Sequence, residues 1–354
     1  MTMESDPRLV RDARAADGWE GAASHQPPAA GQPDEALAFI ILSAIRGVGH
    51  KTLEYIAAAG LRFADVLATG PTETLPFLKR RAGADDGRPG PAWPQIRAEA
   101  GERALPMIEQ LRAGRINLIF RGDPRFPRAL MDLEDPPYWL FVQGAIEPLH
   151  LPSVAIVGTR KPTDDGLFLA RYVGACLEGW QSPTVSGLAT GIDQLAHESS
   201  IRAGVPTIAV LGTGILDNYP KGSPALREQI LKAGGTIISE WLPRANYSAE
   251  NFIQRNRLQA ALGSVLIPVE WARRSGTAHT VRFATALRRP IACLRLPDWP
   301  TARVVLEPGQ GHESGELFTL PREQEAFDRF VRYALLPPLA DFAGQLSLPL
   351  PQEE

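Results

Sequence analysis

The sequence is poor in cysteine and has no long apolar run. Its 354 residues include only two cysteines, Cys176 and Cys293, and each lies in an apolar segment. This setting favours buried thiols in a reducing compartment and excludes a disulfide-built secreted scaffold. The apolar runs are shorter than the roughly 18–20 residues of a membrane-spanning helix. The first residues mix Asp and Arg, so no secretory signal is expected. Together these absences predict a cytoplasmic protein without a membrane segment.

An overall positive charge is also missing. The chain has 37 Lys and Arg against 40 Asp and Glu, a net charge of −3, which excludes a protein that coats nucleic acid by bulk charge. The charges are unevenly distributed, because residues 151–300 hold 16 Lys and Arg against 11 Asp and Glu. A local anionic ligand is therefore compatible with this segment.

The usual marks of a cofactor or metal site are absent as well. The turn after the first strand-like run reads G-T-R-K and not G-x-G-x-x-G, which argues against a dinucleotide. Asp193 and His197 are four residues apart on one helical face, but no third ligand follows at metal-binding spacing. We therefore expect neither a cofactor nor a metal.

What the sequence does have is a repeated alternation of short apolar runs and helix-like segments. The alternation predicts a doubly wound, mostly parallel α/β sheet of the extended Rossmann type across residues 115–300. The expected strands are 153–157, 183–186, 206–211, 235–239, 264–269 and 290–294, and the expected helices are 165–180, 191–204, 222–233, 249–262 and 277–288. Two strand-like runs within 115–144 flank a Pro-rich connection and predict an added strand or flap.

Three further segments flank this sheet. Residues 1–33 are polar and lack periodicity, so a disordered leader is expected. Residues 34–110 predict a small helical domain whose R-G-V-G-H turn, beginning at Arg46, is typical of a helix-hairpin-helix or SAM-like module. A plain αα-hairpin without a DNA role is the alternative. Residues 82–94 predict a linker, and a C-terminal extension of residues 301–354 is expected to contain one helix near 321–335.

Cations and small residues recur where the predicted strands end. Gly158 allows a tight turn, and Arg160 and Lys161 follow it, so a phosphate there would meet amides and charge together. Ser186 and Gly187 form the second such turn, in which Asp193 could instead cap the helix. Further along, N-F-I-Q-R-N-R places Arg255, Asn256 and Arg257 after Phe252, and R-R-S-G-T contains Gly276. Arginines bind phosphates and an aromatic ring can stack on a base, which predicts a contact with single-stranded nucleic acid.

These motifs resemble the DprA/Smf family of bacterial DNA-processing proteins. The matching pieces are G-T-R, S-G-L-A-T-G-I-D-x-x-A-H, T-I-A-V-L-G-T-G-I-L-D-x-x-Y-P, S-E, N-F-I-Q-R-N-R and R-S-G-T-A-H-T. The resemblance implies an extended Rossmann fold that protects single-stranded DNA, helps to load a RecA-type recombinase during recombination or natural transformation, and forms a homodimer. It also implies a DNA pocket made by a set of loop residues: Arg160, Ser186, Gly187, Lys221, Arg255, Asn256, Arg257 and Gly276.

The C-terminal tail carries a separate motif. The segment Gln345-Leu346-Ser347-Leu348-Pro349-Leu350 resembles the short peptide with which bacterial replication and repair proteins bind the sliding clamp. In such a peptide the glutamine amide would fix the register and the leucines would fill apolar pockets. The alternative is a terminal segment that folds back on its own domain.

Two other functions remain open at this point. Related Rossmann proteins, the phosphoribohydrolases, hydrolyse nucleotides with a glutamate three residues after a Gly-Thr pair. Here Gly276-Thr277 is followed by Ala278, His279 and Thr280, so the acid is missing from that position, although Glu240 and Glu270 at strand ends could still serve as one. A nucleotide sensor with a small phosphate ligand is the third possibility. We expect a binding protein with no catalytic residue.

Overall fold

The computed structural model describes residues 34–70, 92–299 and 315–336. The expected leader, most of the expected linker and the tail peptide around Gln345 lie outside these residues. Within the described residues, no helix is both long and apolar enough to cross a membrane.

The strands form one nine-stranded sheet. They are β1 Ile116–Phe120, β2 Trp139–Gly144, β3 Val154–Val157, β4 Thr184–Ser186, β5 Thr207–Val210, β6 Thr236–Ser239, β7 Val265–Pro268, β8 Ile291–Arg295 and β9 Gly315–Thr319. Their spatial order is β1-β2-β6-β5-β4-β3-β7-β8-β9. Strands β1 and β2 are antiparallel, β2 runs antiparallel to β6, and all other neighbours are parallel. The expected doubly wound, mostly parallel sheet is confirmed.

The helices occupy both faces of the sheet. In the described residues they are α1 Glu35–Ser43, α2 His50–Ala58, α3 Phe63–Thr69, α4 Trp93–Ala113, α5 Asp164–Trp180, α6 Ile192–Arg202, α7 Pro224–Lys232, α8 Ala249–Leu262, α9 Gly276–Ala286 and α10 Gln324–Ala334. Side chains cap several of them: Thr163 accepts from Gly166 N, Ser248 from Asn251 N and Ser275 from Ala278 N. The central strands β3, β5 and β7 are buried along their whole length, as expected for parallel strands covered on both faces.

The N-terminal helices share a core with the sheet. Phe39 of α1 packs edge-to-face against Trp139 of β2, with ring centroids 4.8 Å apart, and against Phe63 of α3 at 5.0 Å. Phe120 and Phe141 from the first two strands complete the aromatic group. The apolar side chains of α1 to α4 are therefore continuous with those of the sheet.

The C-terminal part differs from the prediction. Strand β9 pairs in parallel with β8, and Phe318 of β9 packs on Phe327 of α10 with centroids 5.5 Å apart. The predicted domain boundary at residue 300 is therefore too early, because these elements complete the sheet and its core. The signal is weak in the sequence, since β9 is a short edge strand in which residues 318–319 are buried.

Candidate functional site

A cleft of about 680 Å³ opens at the carboxyl ends of the parallel strands. We call it the basic cleft. Its walls come from the loops after β3, β5, β6 and β7 and from the N-terminal parts of α8 and α9. The lining residues are Arg160, Tyr219, Tyr247, Ala249, Phe252, Ile253, Asn256, Arg273, Arg274, Ser275, Gly276, His279 and Arg282. The order of the strands reverses between β3 and β7, so the cleft lies where open α/β sheets bind their ligands.

The basic cleft has a strongly positive lining. Four arginines line it, all exposed: Arg160, Arg273, Arg274 and Arg282. No Asp or Glu is among its lining residues in the described part of the chain. Helix α9 begins at Gly276, so the amides of its first turn add the positive end of a helix dipole. Charge and amide donors together give the cleft the chemistry that anions require.

Aromatic rings lie beside these cations. Tyr219 packs against Tyr247 and Phe252, with ring centroids 4.8 Å and 5.1 Å away. The Arg160 guanidinium lies 5.2 Å from the centre of the Phe252 ring, and its Nη1 donates to Tyr219 Oη at 3.5 Å. This packing holds a long, exposed side chain near one position and reduces the entropy lost when it binds a ligand.

His279 adds a neutral imidazole to the cleft. Desolvation and the neighbouring Arg282 lower the pKa of His279 below its ordinary value. The ring is therefore uncharged at neutral pH, and its Nδ1 lies 2.8 Å from Arg282 Nη2, as an acceptor for the guanidinium. His279 thus orients Arg282 within the cleft.

Arg255 does not reach the cleft as a free cation. It is buried, and its Nη1 donates to the carbonyl oxygens of Gly187, at 2.7 Å, and Val210. Burial lowers the pKa of Arg255 to about 10, so it stays charged at neutral pH. A side chain at Gly187 would collide with this guanidinium, which explains the glycine. The prediction that Arg255 binds phosphate directly is corrected: it ties together the ends of β4 and β5.

Arg257 is likewise a structural residue. Its Nη1 and Nη2 donate to Glu240 Oε1 and Oε2 at 3.0 and 2.7 Å, and its Nε contacts the Asp135 carboxylate at 3.2 Å. The Arg257 and Glu240 side chains are 8% and 6% exposed. Since its donors are used in a buried ion pair, the predicted phosphate contact of Arg257 is corrected too.

Ser186 and its surroundings form a buried polar support beneath the loops. Ser186 Oγ donates to Ile156 O at 2.6 Å, and Asp193 Oδ2 accepts from Gly187 N at 3.1 Å. Asp193 therefore holds the loop after β4, and it does not cap α6, because the N-cap residue Gly191 has no side-chain partner at this helix start. Burial raises the pKa of Asp193, and the charge of Arg255 opposes that shift. Ser186 is fully buried, so its expected phosphate contact is corrected.

His197 lies in the same support. Its Nδ1 is 2.7 Å from Thr207 Oγ1, which in turn lies 2.7 Å from Thr184 Oγ1. Burial, together with the charge of Arg255, lowers the pKa of His197 to about 3. This imidazole is neutral and belongs to the packing between α6 and the sheet.

The remaining predicted residues lie in three different settings. Arg160, Asn256 and Gly276 line the basic cleft together, and Asn256 Nδ2 donates to Gly276 O at 3.0 Å, which fixes α8 to the start of α9. Lys161 and Lys221 are exposed on neighbouring loops without lining the cleft. Gly158 packs so closely on Ile192 that a Cβ would come within 2.6 Å of that side chain.

The two acids considered for hydrolysis are engaged elsewhere. Glu240 is buried in the pair with Arg257. Glu270 accepts from Thr163 N at 2.9 Å and Thr163 Oγ1 at 2.8 Å, and so holds the start of α5. Neither carboxylate lines the basic cleft.

Sequence reasoning missed several residues of the site, among them Tyr219, Tyr247, His279 and Arg282. A signal for two of them was present, because Gly276, His279 and Arg282 recur every three residues and therefore share a helical face. The tyrosines gave no such signal, since they come from two separate loops.

Comparison with protein-family models gives one assignment. The model described as DNA recombination-mediator protein A matches residues 117–305, more than half of the chain. These residues contain all of β1 except Ile116 and every strand from β2 to β8.

Curated relatives match about half of the chain. Protein Smf of Synechocystis sp. is 38% identical over 182 residues, which are 50% of this chain and 45% of the relative. The DNA processing protein DprA of Streptococcus pneumoniae is 36% identical over 164 residues, 46% of this chain and 57% of the relative. The match thus spans about half the length of the curated relatives.

Two solved structures share the fold. The X-ray structure of DNA processing protein A from Streptococcus pneumoniae matches with a TM-score of 0.55 and 25% identity. The match covers 81% of this chain and 95% of the Streptococcus chain. DNA processing protein A from Helicobacter pylori, whose structure concerns a single-stranded DNA binding mode, has a TM-score of 0.53 at 24% identity. That match covers 62% of this chain and 96% of the Helicobacter chain.

Proposed function

The chain belongs to the DNA recombination-mediator protein A family, and from this premise we propose that it binds single-stranded DNA in the basic cleft. One observation carries the proposal: four exposed arginines and three aromatic rings converge at the carboxyl edge of the sheet, and no acid lines that cleft in the described residues. Phosphates would bind the guanidinium groups and the first-turn amides of α9, while bases would meet aromatic faces.

We extend the proposal to the biological role. Bound single strands would be protected and passed to a RecA-type recombinase, with no bond made or broken. The engagement of Glu240 and Glu270 in structural contacts supports the non-enzymatic part, because a hydrolase needs an acid that can reach its substrate. The named relatives Smf and DprA support the DNA-processing role.

The test is a binding titration of labelled single- and double-stranded oligonucleotides across a salt series. Single strands should bind more tightly, with an affinity that falls steeply as salt rises, because each neutralised phosphate contributes about −0.7 to the slope. Arg160→Ala should weaken binding about 10-fold or more and flatten the slope by about 0.7.

A matched control removes an arginine far from the cleft. Arg329 of α10 is 73% exposed and does not line the cleft, so Arg329→Ala should leave affinity and slope unchanged. Equal losses in both variants, or equal affinity for single and double strands, would contradict the cleft as the binding site. Release of a base or phosphate from nucleoside monophosphates would contradict the non-enzymatic role.

A recombinase assay tests the second part. On single strands covered by a single-strand-binding protein, the wild type should shorten the lag of RecA filament formation, and Arg160→Ala should not. If wild-type protein leaves the lag unchanged, the proposal of recombinase loading is contradicted, and the proposal of DNA binding is not affected.

A further inference from the structure

Tyr247 is an exposed aromatic residue in an unusual position. Its side chain is 62% exposed, and it lies in the loop between β6 and α8. Other exposed aromatic side chains in the described residues, such as Tyr333 and Phe168, lie outside the basic cleft, whereas Tyr247 lines it. Exposure of a large ring has a hydration cost, so a ring held at the mouth of a charged cleft suggests a ligand surface.

The ring is held by its neighbours. Tyr247 packs on Tyr219 with centroids 4.8 Å apart and planes inclined by 30°, and Tyr219 packs on Phe252. Phe252 is fixed in turn by close contact with Gly212, where a Cβ would come within 2.5 Å of the ring. The three rings thus form a short stack along the cleft that runs from partly buried Phe252 to exposed Tyr247.

The stack lies next to a phosphate-binding group. Arg160 contacts both inner members, through the Phe252 ring face and Tyr219 Oη. A phosphate bound by Arg160 would therefore place its own nucleotide beside the aromatic stack. A flat, apolar ligand group that is covalently tied to a phosphate fits this juxtaposition, and a nucleobase is such a group.

We propose that Tyr247 is a base-stacking platform that extends the aromatic stack by one unpaired nucleobase. The inference rests on the proposed function and specifies how that site selects its substrate. Bases within a duplex already have neighbours on both faces, so a duplex cannot offer one to Tyr247 without unstacking. The arginines supply sequence-independent affinity for the backbone, and Tyr247 supplies the preference for a single strand.

The test compares Tyr247→Ala and Tyr247→Phe on two oligonucleotides of equal length, one normal and one abasic throughout its central segment. On normal DNA, Tyr247→Ala should lose about 5- to 150-fold in affinity, and Tyr247→Phe should stay within about 2-fold of wild type. The salt slope should not change, because no phosphate contact is removed. On abasic DNA the wild type and Tyr247→Ala should bind equally.

Tyr333→Ala serves as the matched control, because Tyr333 is 78% exposed on α10 and lies away from the cleft. An equal loss from Tyr247→Ala on normal and abasic DNA would overturn the stacking role, as would full affinity of that variant on normal DNA. Both results would leave the proposed function standing if Arg160→Ala still flattened the salt slope. A wild-type protein without single-strand preference would instead overturn the proposed function and this inference with it.

Discussion

The buried pair of Arg257 and Glu240 gives a prediction about stability. Glu240→Gln removes one charge while it keeps the shape of the side chain. In the native protein both guanidinium nitrogens of Arg257 donate to Glu240, and the two side chains are 8% and 6% exposed. The substitution would leave Arg257 charged and largely buried, with Asp135 as its remaining anionic partner.

The expected magnitude follows from burial. Loss of one partner from a buried ion pair typically costs about 3–5 kcal/mol, because the other charge loses its compensation. We expect about 3 kcal/mol here, since the glutamine oxygen still accepts one hydrogen bond. Asp135→Asn is the matched control: Asp135 contacts the same guanidinium but is 67% exposed, so its loss should cost about 1 kcal/mol or less.

Urea unfolding monitored by tryptophan fluorescence measures both variants. Glu240→Gln should lower the midpoint by about 1 M or more with an unchanged slope, and Asp135→Asn should shift it by a fraction of that. The single-stranded DNA affinity of folded Glu240→Gln should match wild type at low denaturant. A normal midpoint would refute the reasoning, because the pair would then contribute nothing to stability, and a normal midpoint with stronger DNA binding would show that Arg257 reaches the DNA.

Two further predictions concern the buried imidazole and the tail. The pKa of His197 is lowered to about 3 in the folded state, so the unfolded chain takes up a proton first as pH falls through about 6.5. The free energy of unfolding should then drop by about 1.4 kcal/mol per pH unit below pH 6.5. Urea titrations at pH 7.5 and 5.5 should show that His197→Gln loses less stability between these two pH values than the wild type does. Equal losses of stability in the two proteins would contradict the assignment of a neutral His197. For the tail, replacing Gln345 and Leu348 with Ala should abolish pulldown of the sliding clamp and leave DNA binding intact, whereas undiminished pulldown would remove the clamp hypothesis.

The sheet was predictable from the sequence because its central strands are buried on both faces. Runs such as Val154–Val157 and Thr207–Val210 therefore contain almost only apolar residues, and capped helices separate them. Strand β9 could not be predicted in the same way. It lies at the sheet edge, follows a stretch without periodic pattern and pairs with β8 through its backbone.

The site was predictable in part. Arg160 follows a buried strand directly, and the topology alone brings such residues to one edge. Arg255 and Arg257 were misassigned because two residues along a helix correspond to nearly opposite faces, so both could not point into one groove. Their burial depends on distant partners, Gly187 for the first and Glu240 for the second, and this pairing is set by tertiary contacts.

The continuous core between the N-terminal helices and β2 means that the region of family similarity and the folded unit begin at different residues. The region that matches the family model begins at residue 117, yet Phe39 and Phe63 fill space against Trp139 well inside it. A fragment trimmed to the matched region would expose the indole of Trp139 and the neighbouring phenyl rings to water. Homology thus marks where this chain resembles its relatives, and the unit that has to be expressed intact reaches back at least to Asp34.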